Sequence, residues 1–122
     1  MAEMTLIEKV LFLQEVELLS NLSPEQLWRI ALITQVTEMP RGKVLFREKH
    51  RSDSMYVIVE GKVALAMNGE QIHEAGDKEV VGSWALIDDE PMVATATVVE
   101  DARLLRIERE DFYDLLADHS EI

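Results

Sequence analysis

Three histidines, His50, His73 and His119, are the first side chains to test for chemistry, and their spacing argues against ligation. None forms the H-x-H or H-E-x-x-H pair that metal sites use. Each is read as a surface or turn residue. The run Asp88-Asp89-Glu90 could attract a cation, but it lacks the alternating ligands and the glycine of a calcium loop, so it reads as a solvated loop. Carboxylate pairs for glycoside chemistry can be drawn from 24 acids in too many ways to carry information. No nucleophile elbow, phosphate-loop lysine or dinucleotide fingerprint is present. The sequence therefore predicts no catalytic residue, no metal site and no enzyme. One position does carry physics. Gly82 precedes a stretch that reads as a single helical turn, Ser83-Trp84-Ala85-Leu86-Ile87. Backbone N–H groups at a helix start can face an anion, and glycine allows close approach. Alone, Gly82 reads as a glycine that turns the chain.

The frame that must position these residues is small. The chain has 122 residues, the size of one domain spanning 1–122. It has no cysteine, which excludes disulfides, thiolate zinc sites and thiol catalysis. No apolar run reaches the roughly 20 residues of a membrane helix, so direct membrane insertion is not expected. The start, MAEMTLIEKV, lacks the basic opening of a signal peptide, and a cytoplasmic location is expected. Twelve basic against 24 acidic residues leave a formal net charge of −12. Such a chain repels polyphosphate backbones, so nucleic acid is not an expected partner.

Helical signals come first. Thr5 with Glu8 has the form of a capping box ahead of a helix over Leu6–Leu13. Ser23-Pro24-Glu25-Gln26 is a stronger start, with Ser at the cap and Pro at the first helical position. The apolar spacing of Leu27, Ile30, Ala31 and Ile33 carries that helix to about Thr34, closing a helical lead-in over 5–34. The period then changes. Short alternating runs follow at 36–39, 44–46, 55–60, 63–67, 71–75, 80–81, 94–99 and 104–107, separated by turn signals of which Asn68-Gly69 is the clearest hairpin. Eight short antiparallel strands over 35–108 indicate a barrel-like roll rather than a parallel sheet. A last helix over 109–118 places Phe112, Leu115 and Leu116 on one face, while Asp118-His119-Ser120-Glu121 offers little apolar surface to extend it.

With these elements in order, the chain resembles the cyclic nucleotide-binding domain family. The residues that carry the resemblance run through most of the chain. They are Leu18-Leu19-Ser20-Asn21-Leu22-Ser23, Pro40-Arg41-Gly42-Lys43-Val44-Leu45-Phe46-Arg47-Glu48, and Asp53-Ser54-Met55-Tyr56-Val57-Ile58-Val59-Glu60-Gly61-Lys62-Val63. Gly82, Ala85, Leu86, Asp88, Glu90, Pro91, Ala94 and Thr95 follow, then Leu104-Leu105-Arg106-Ile107 and Arg109-Glu110-Asp111-Phe112. The fold implied is mainly β with flanking helices, an antiparallel double-stranded β-helix or jelly-roll-like β roll.

The resemblance also implies a site. The segment 82–95 corresponds to the family's phosphate-binding cassette, with Gly82, Ser83, Trp84, Ala85, Leu86, Met92, Val93 and Ala94 as its candidate ligand-binding residues. The family pattern is Gly-Glu-x-Ala-Leu, a short loop, then Pro-Arg-x-Ala. Its Glu takes the ribose 2′-hydroxyl and its Arg pairs with the cyclic phosphate. Here Ser83 and Met92 stand at those two positions, so both polar anchors are missing. A phosphate left without its counter-charge costs roughly 3–5 kcal/mol, which corresponds to about two to three orders of magnitude in affinity. Trp84 is expected to pack, with stacking on a base as the alternative, and Val93 stands where a Thr favours guanine. Where family members carry glycines, this chain reads Lys49-His50-Arg51-Ser52, and the cluster Arg47, Lys49 and Arg51 reads as a basic loop.

The implied function is a regulatory or sensory module, serving as an interaction or regulatory domain of a larger parent protein. It would hold no cofactor beyond a weakly bound cyclic nucleotide. The alternative is a working sensor of cAMP or another small anionic ligand through an altered cassette. The lead-in 6–16 is similar to that of such domains appended to bacterial membrane transporters or helical-repeat proteins. That likeness suggests a bacterial source and a parent that is associated with a membrane, with this module on its cytosolic side.

Overall fold

The computed structural model describes residues 3–120 and 122. Glu121, in the last stretch of the expected C-terminal segment, lies outside the described residues, as do the first two residues of the chain. Helix α1 covers Leu6–Leu13 and α2 covers Pro24–Leu32, each opened by a reciprocal capping box, Thr5 with Glu8 and Ser23 with Gln26. Between them Glu17–Leu19 forms one 3-10 turn that sequence patterning does not signal. Helix α2 stops two residues before the expected Thr34. Thr34 is buried and turns its hydroxyl back onto the Ala31 carbonyl at 2.8 Å, a local bond that competes with helix continuation.

Among the described residues six strands follow instead of eight. They are β1 (Gln35–Met39), β2 (Val44–Phe46), β3 (Ser54–Met67), β4 (Glu70–Ala75), β5 (Val80–Val81) and β6 (Thr95–Glu108). Every pairing is antiparallel, in the order β1-β6-β3-β4, with β2 also on β6 and β5 on β3. The expected runs 55–60 and 63–67 fuse into β3, and 94–99 and 104–107 fuse into β6. Gly61 is the reason. It reads as a turn, yet it sits at φ +109 inside a series of bulges through which β3 keeps its ladder with β6. A Cβ on Gly61 would lie 2.7 Å from Ala102 Cα, so only glycine lets the two strands close at this bend. The hairpin at Asn68-Gly69 forms as expected, with both residues at positive φ.

The roll is buried on both sides. Along β3 and β6, Tyr56, Ile58 and Leu104 face a core inside the roll, together with Phe46, Val81, Ala85 and Met92. Met55, Val57, Leu105 and Ile107 face a second core, against Leu13, Val16, Leu27 and Ile30 of the helical lead-in. Two covered faces explain the unbroken apolar run Met55-Tyr56-Val57-Ile58-Val59. The one-turn helix α3 (Trp84–Ile87) lies across the junction, with Ala85 in the first core and Leu86 in the second. Helix α4 (Arg109–Asp118) packs Phe112 and Leu115 against the second core while none of its residues is fully buried. No helix among the described residues is long and apolar enough to cross a membrane.

Candidate functional site

The segment 82–95 begins with Gly82 at φ +80, where a Cβ would meet the Phe46 ring at 2.9 Å and the Ser54 carbonyl at 3.2 Å. The glycine is thus required both by the backbone and by packing. Ser83 follows at the cap of α3, but its hydroxyl makes no capping bond. Ala85 N–H donates to the Gly82 carbonyl at 3.0 Å and Leu86 N–H to the Ser83 carbonyl at 3.1 Å, which makes a single tight turn. Ala85 and Leu86 point inward. Trp84 and Ile87 do the reverse and are 63% and 62% exposed. The Trp84 indole therefore stands in solvent instead of packing as expected.

The loop beyond α3 is held by cations. Asp89 pairs with Arg51 at 3.5 Å and with Arg109 at 3.2 Å. Arg51 Nε also donates to the Asp89 carbonyl at 2.8 Å. Met92, after Pro91, turns inward and is 7% exposed, among Phe46, Tyr56, Val81 and Ala85. Its backbone is tied on both sides: Met92 N–H donates to the His50 carbonyl at 2.8 Å, and Lys49 N–H donates to the Met92 carbonyl at 2.7 Å. Val93 is exposed and Ala94 is buried. Glu48 N–H donates to Thr95 Oγ1 at 3.0 Å and extends this attachment. Lys49 takes φ +69, which is the physical reason glycine suits this loop. Of the basic loop, Arg51 turns onto the 88–90 segment, while Arg47 and Lys49 stay exposed. Of the histidines, His50 is an exposed turn residue and His73 lies on β4, 3.1 Å from Glu79.

Arg109 is the residue whose role sequence reasoning missed. It opens α4, where its backbone N–H donates to the Asp53 carbonyl. Its guanidinium donates from Nε to the Ala85 carbonyl and from one terminal nitrogen to the Ser52 carbonyl, both at 2.7 Å. It thereby joins α3, the 52–53 loop and α4. A signal for it exists in the sequence. A cation in the first turn of a helix opposes the helix dipole, so its placement needs another reason. Beside it, a groove of about 410 Å3 is lined by Leu45, Arg51, Ser52, Tyr56, Asp89 and Arg106, among others. Arg106 Nε donates to the buried Ser54 hydroxyl at 2.8 Å. Burial pushes the Tyr56 phenol above its ordinary value, and the Arg106 charge opposes part of that rise.

An antiparallel roll with helices on its outer face, whose two cores are joined by a one-turn helix after a positive-φ glycine, is the fold class of this chain. Comparison with known proteins gives the family. The description "Cyclic nucleotide-binding domain" matches residues 36–119, and the chain belongs to that family. It is 29% identical over 107 residues to a cAMP-dependent protein kinase regulatory subunit of Emericella nidulans, covering 86% of this chain and 26% of that protein. It is 27% identical to a CRP-like cAMP-activated global transcriptional regulator of Mycobacterium tuberculosis, covering 72% of this chain and 42% of that protein. The chain thus spans between a quarter and a half of these curated relatives. Among solved structures, a cyclic nucleotide-binding-like protein from Brucella abortus superposes with a TM-score of 0.77 at 28% identity, covering 89% of this chain and 97% of that one. The N-terminal domain of a transcriptional regulator from Streptomyces coelicolor does so with a TM-score of 0.77 at 28% identity, covering 93% and 81%.

Proposed function

We propose that this cyclic nucleotide-binding regulatory domain does not hold cAMP through the family's charged contacts and serves a larger parent protein as an interaction or regulatory module. The observation that carries this reading is Met92. The side chain that stands where the family pattern has Arg is a thioether buried in the roll core, with its backbone hydrogen-bonded to Lys49 and His50. A buried apolar group supplies no counter-charge for a cyclic phosphate. Ser83, in place of the Glu, offers a hydroxyl and no carboxylate.

Calorimetric titration with cAMP and cGMP at high protein concentration tests this reading, and the expected result is no binding in the micromolar range. The melting temperature gives a second check. A ligand at 100 times its Kd stabilises by about 2.7 kcal/mol, which shifts a domain of this size by several degrees. Millimolar cAMP is expected to leave the melting temperature where AMP leaves it. An upward shift with cAMP alone would sink the proposal.

One observation favours the second reading, a sensor of another small anion. The groove of Arg51, Tyr56 and Arg106 lies beside the 82–95 segment, and Asp89 of that segment lines it. Saturable heat with inorganic phosphate or a small carboxylate, abolished by Arg51→Ala, would support that reading over the first.

A further inference from the structure

On the helical side of the molecule, away from the roll interior, α2 and α4 leave an open groove of about 290 Å3. Its apolar lining is Leu32, Ile33 and Leu115, and Asp111, Asp114 and Asp118 add carboxylates. Leu32 is 60% exposed, and Trp28, one turn earlier on the same face of α2, is 44% exposed. Large apolar side chains at i and i+4 on an outer helix face form a strip that nothing in the described chain covers.

The charges around this strip are unbalanced. Arg29 also lines the groove, but it is paired with Glu25 at 3.3 Å. Along α4, Glu110 and Asp114, then Asp114 and Asp118, are like charges one turn apart, an arrangement that weakens a helix. Asp118 also sits in the last turn, where a negative charge opposes the helix dipole and no basic residue shares that turn; His119, the C-cap residue, lines the groove beside it. Among the described residues no ion pair engages Asp111, Asp114 or Asp118.

We propose that the groove docks an amphipathic helix of a partner protein, with apolar residues on one face and Lys or Arg along its flanks. The inference rests on the interaction-module reading above and names the partner class. Apolar residues at i, i+3 or i+4, and i+7 would lie along Trp28, Leu32 and Leu115, and basic flanks would meet the three aspartates. Charge selects this occupant over a second copy, because a copy of a chain with net charge −12 brings a second acidic rim to the interface.

The probe is a synthetic peptide of about 14 residues, four helical turns, built of Leu and Lys with one apolar face. A peptide of the same composition in scrambled order is the control. Trp84→Phe leaves Trp28 as the only tryptophan, so its fluorescence reports binding, and amide chemical shifts map the contact. The patterned peptide is expected to bind at least about tenfold tighter than the scrambled one, with shifts confined to 28–33 and 111–119. Leu32→Ser should weaken it by about tenfold or more. Replacing Asp111, Asp114 and Asp118 by Asn should weaken binding at low salt and flatten its salt dependence. That triple variant removes like-charge repulsion around Asp114 and Asp118 but also a favourable first-turn charge at Asp111, so its unliganded melting temperature is measured beside the parent's.

Equal affinity for the two peptides, or indifference to both sets of substitutions, would reduce the effect to general attraction by an acidic protein and overturn the proposal. So would concentration-dependent dimerisation abolished by Leu32→Ser, which would make a second copy the occupant. The cAMP titration reports on 82–95 and the peptide on α2 and α4, so the two proposals fail separately.

Discussion

Arg109 Nε donates to the carbonyl oxygen of Ala85 at 2.7 Å, although 24 residues separate them. A cation of the chain's own thus organises the one-turn helix that follows Gly82, and the same guanidinium reaches the Ser52 carbonyl and the Asp89 carboxylate. Arg109 thus ties the segment 82–95 to α4 through hydrogen bonds and an ion pair.

Removing that cation should loosen the segment. Hydrogen bonds to a charged donor contribute roughly 1.5–3 kcal/mol, and several end on Arg109, which is mostly buried. Arg109→Ala is expected to lower stability by about 2–3 kcal/mol and to speed amide exchange at 84–89 more than in the β3–β6 ladder. Arg109→Lys should recover only part of this, because one ammonium cannot span three separate acceptors. Unchanged exchange at 84–89 would mean that packing of Ala85 and Leu86 suffices.

Restoring the family's two anchors should restore binding. Met92→Arg with Ser83→Glu is expected to raise cAMP affinity by about two to three orders of magnitude, read by calorimetry. The same double variant should melt below the parent without ligand, because an unpaired guanidinium replaces a buried thioether, and should recover on adding cAMP. A variant that folds yet gains no affinity would locate the defect in the backbone of 82–95.

Gly61 should resist substitution far more than Gly42. Both take positive φ, but a Cβ on Gly42 meets nothing within 4 Å, whereas on Gly61 it collides with Ala102 Cα and the Asp101 carbonyl at 2.7 Å. Gly42→Ala is expected to lose about 1 kcal/mol and Gly61→Ala about 2–4 kcal/mol in urea unfolding. Equal losses would show that β6 can move away at the bend.

Glu79 ties the turn before β5 by accepting the Gly76 N–H at 2.6 Å, and this bond holds its carboxyl below the ordinary value of 4.5. A folded pKa below the unfolded one adds stability that is complete above pH 4.5 and disappears as pH falls through the lowered folded value. Glu79→Gln should therefore be less stable than the parent at neutral pH, by well under 1 kcal/mol given the exposure of the pair. The two proteins should converge once the pH has fallen below the lowered folded value. A gap that persists in acid would assign the effect to side-chain geometry.

Much of the architecture was legible because its signals are local. Thr5 with Glu8 and Ser23 with Gln26 set the helix starts through bonds spanning three residues, and Asn68-Gly69 set the hairpin through two positive φ angles.

What remained was decided by groups distant in the chain. Gly61 carries the same φ preference in a turn as in a bulge, and only the approach of Ala102 makes it the bend of one 14-residue strand. Trp84 and Met92 are both large and apolar, so composition would bury both. The attachment of Lys49 and His50 to the Met92 backbone turns Met92 inward, while the short helix that buries Ala85 and Leu86 leaves Trp84 outside. Arg109 shows the same division. Its place at the start of a helix is a matter of sequence, but its carbonyl acceptors come from α3 and the 52–53 loop, which only tertiary packing brings within 2.7 Å of one guanidinium. Capping, turn and periodicity signals act over a few residues. Burial and hydrogen-bond partners depend on which distant segments the β3–β6 pairing and the packing around it bring together.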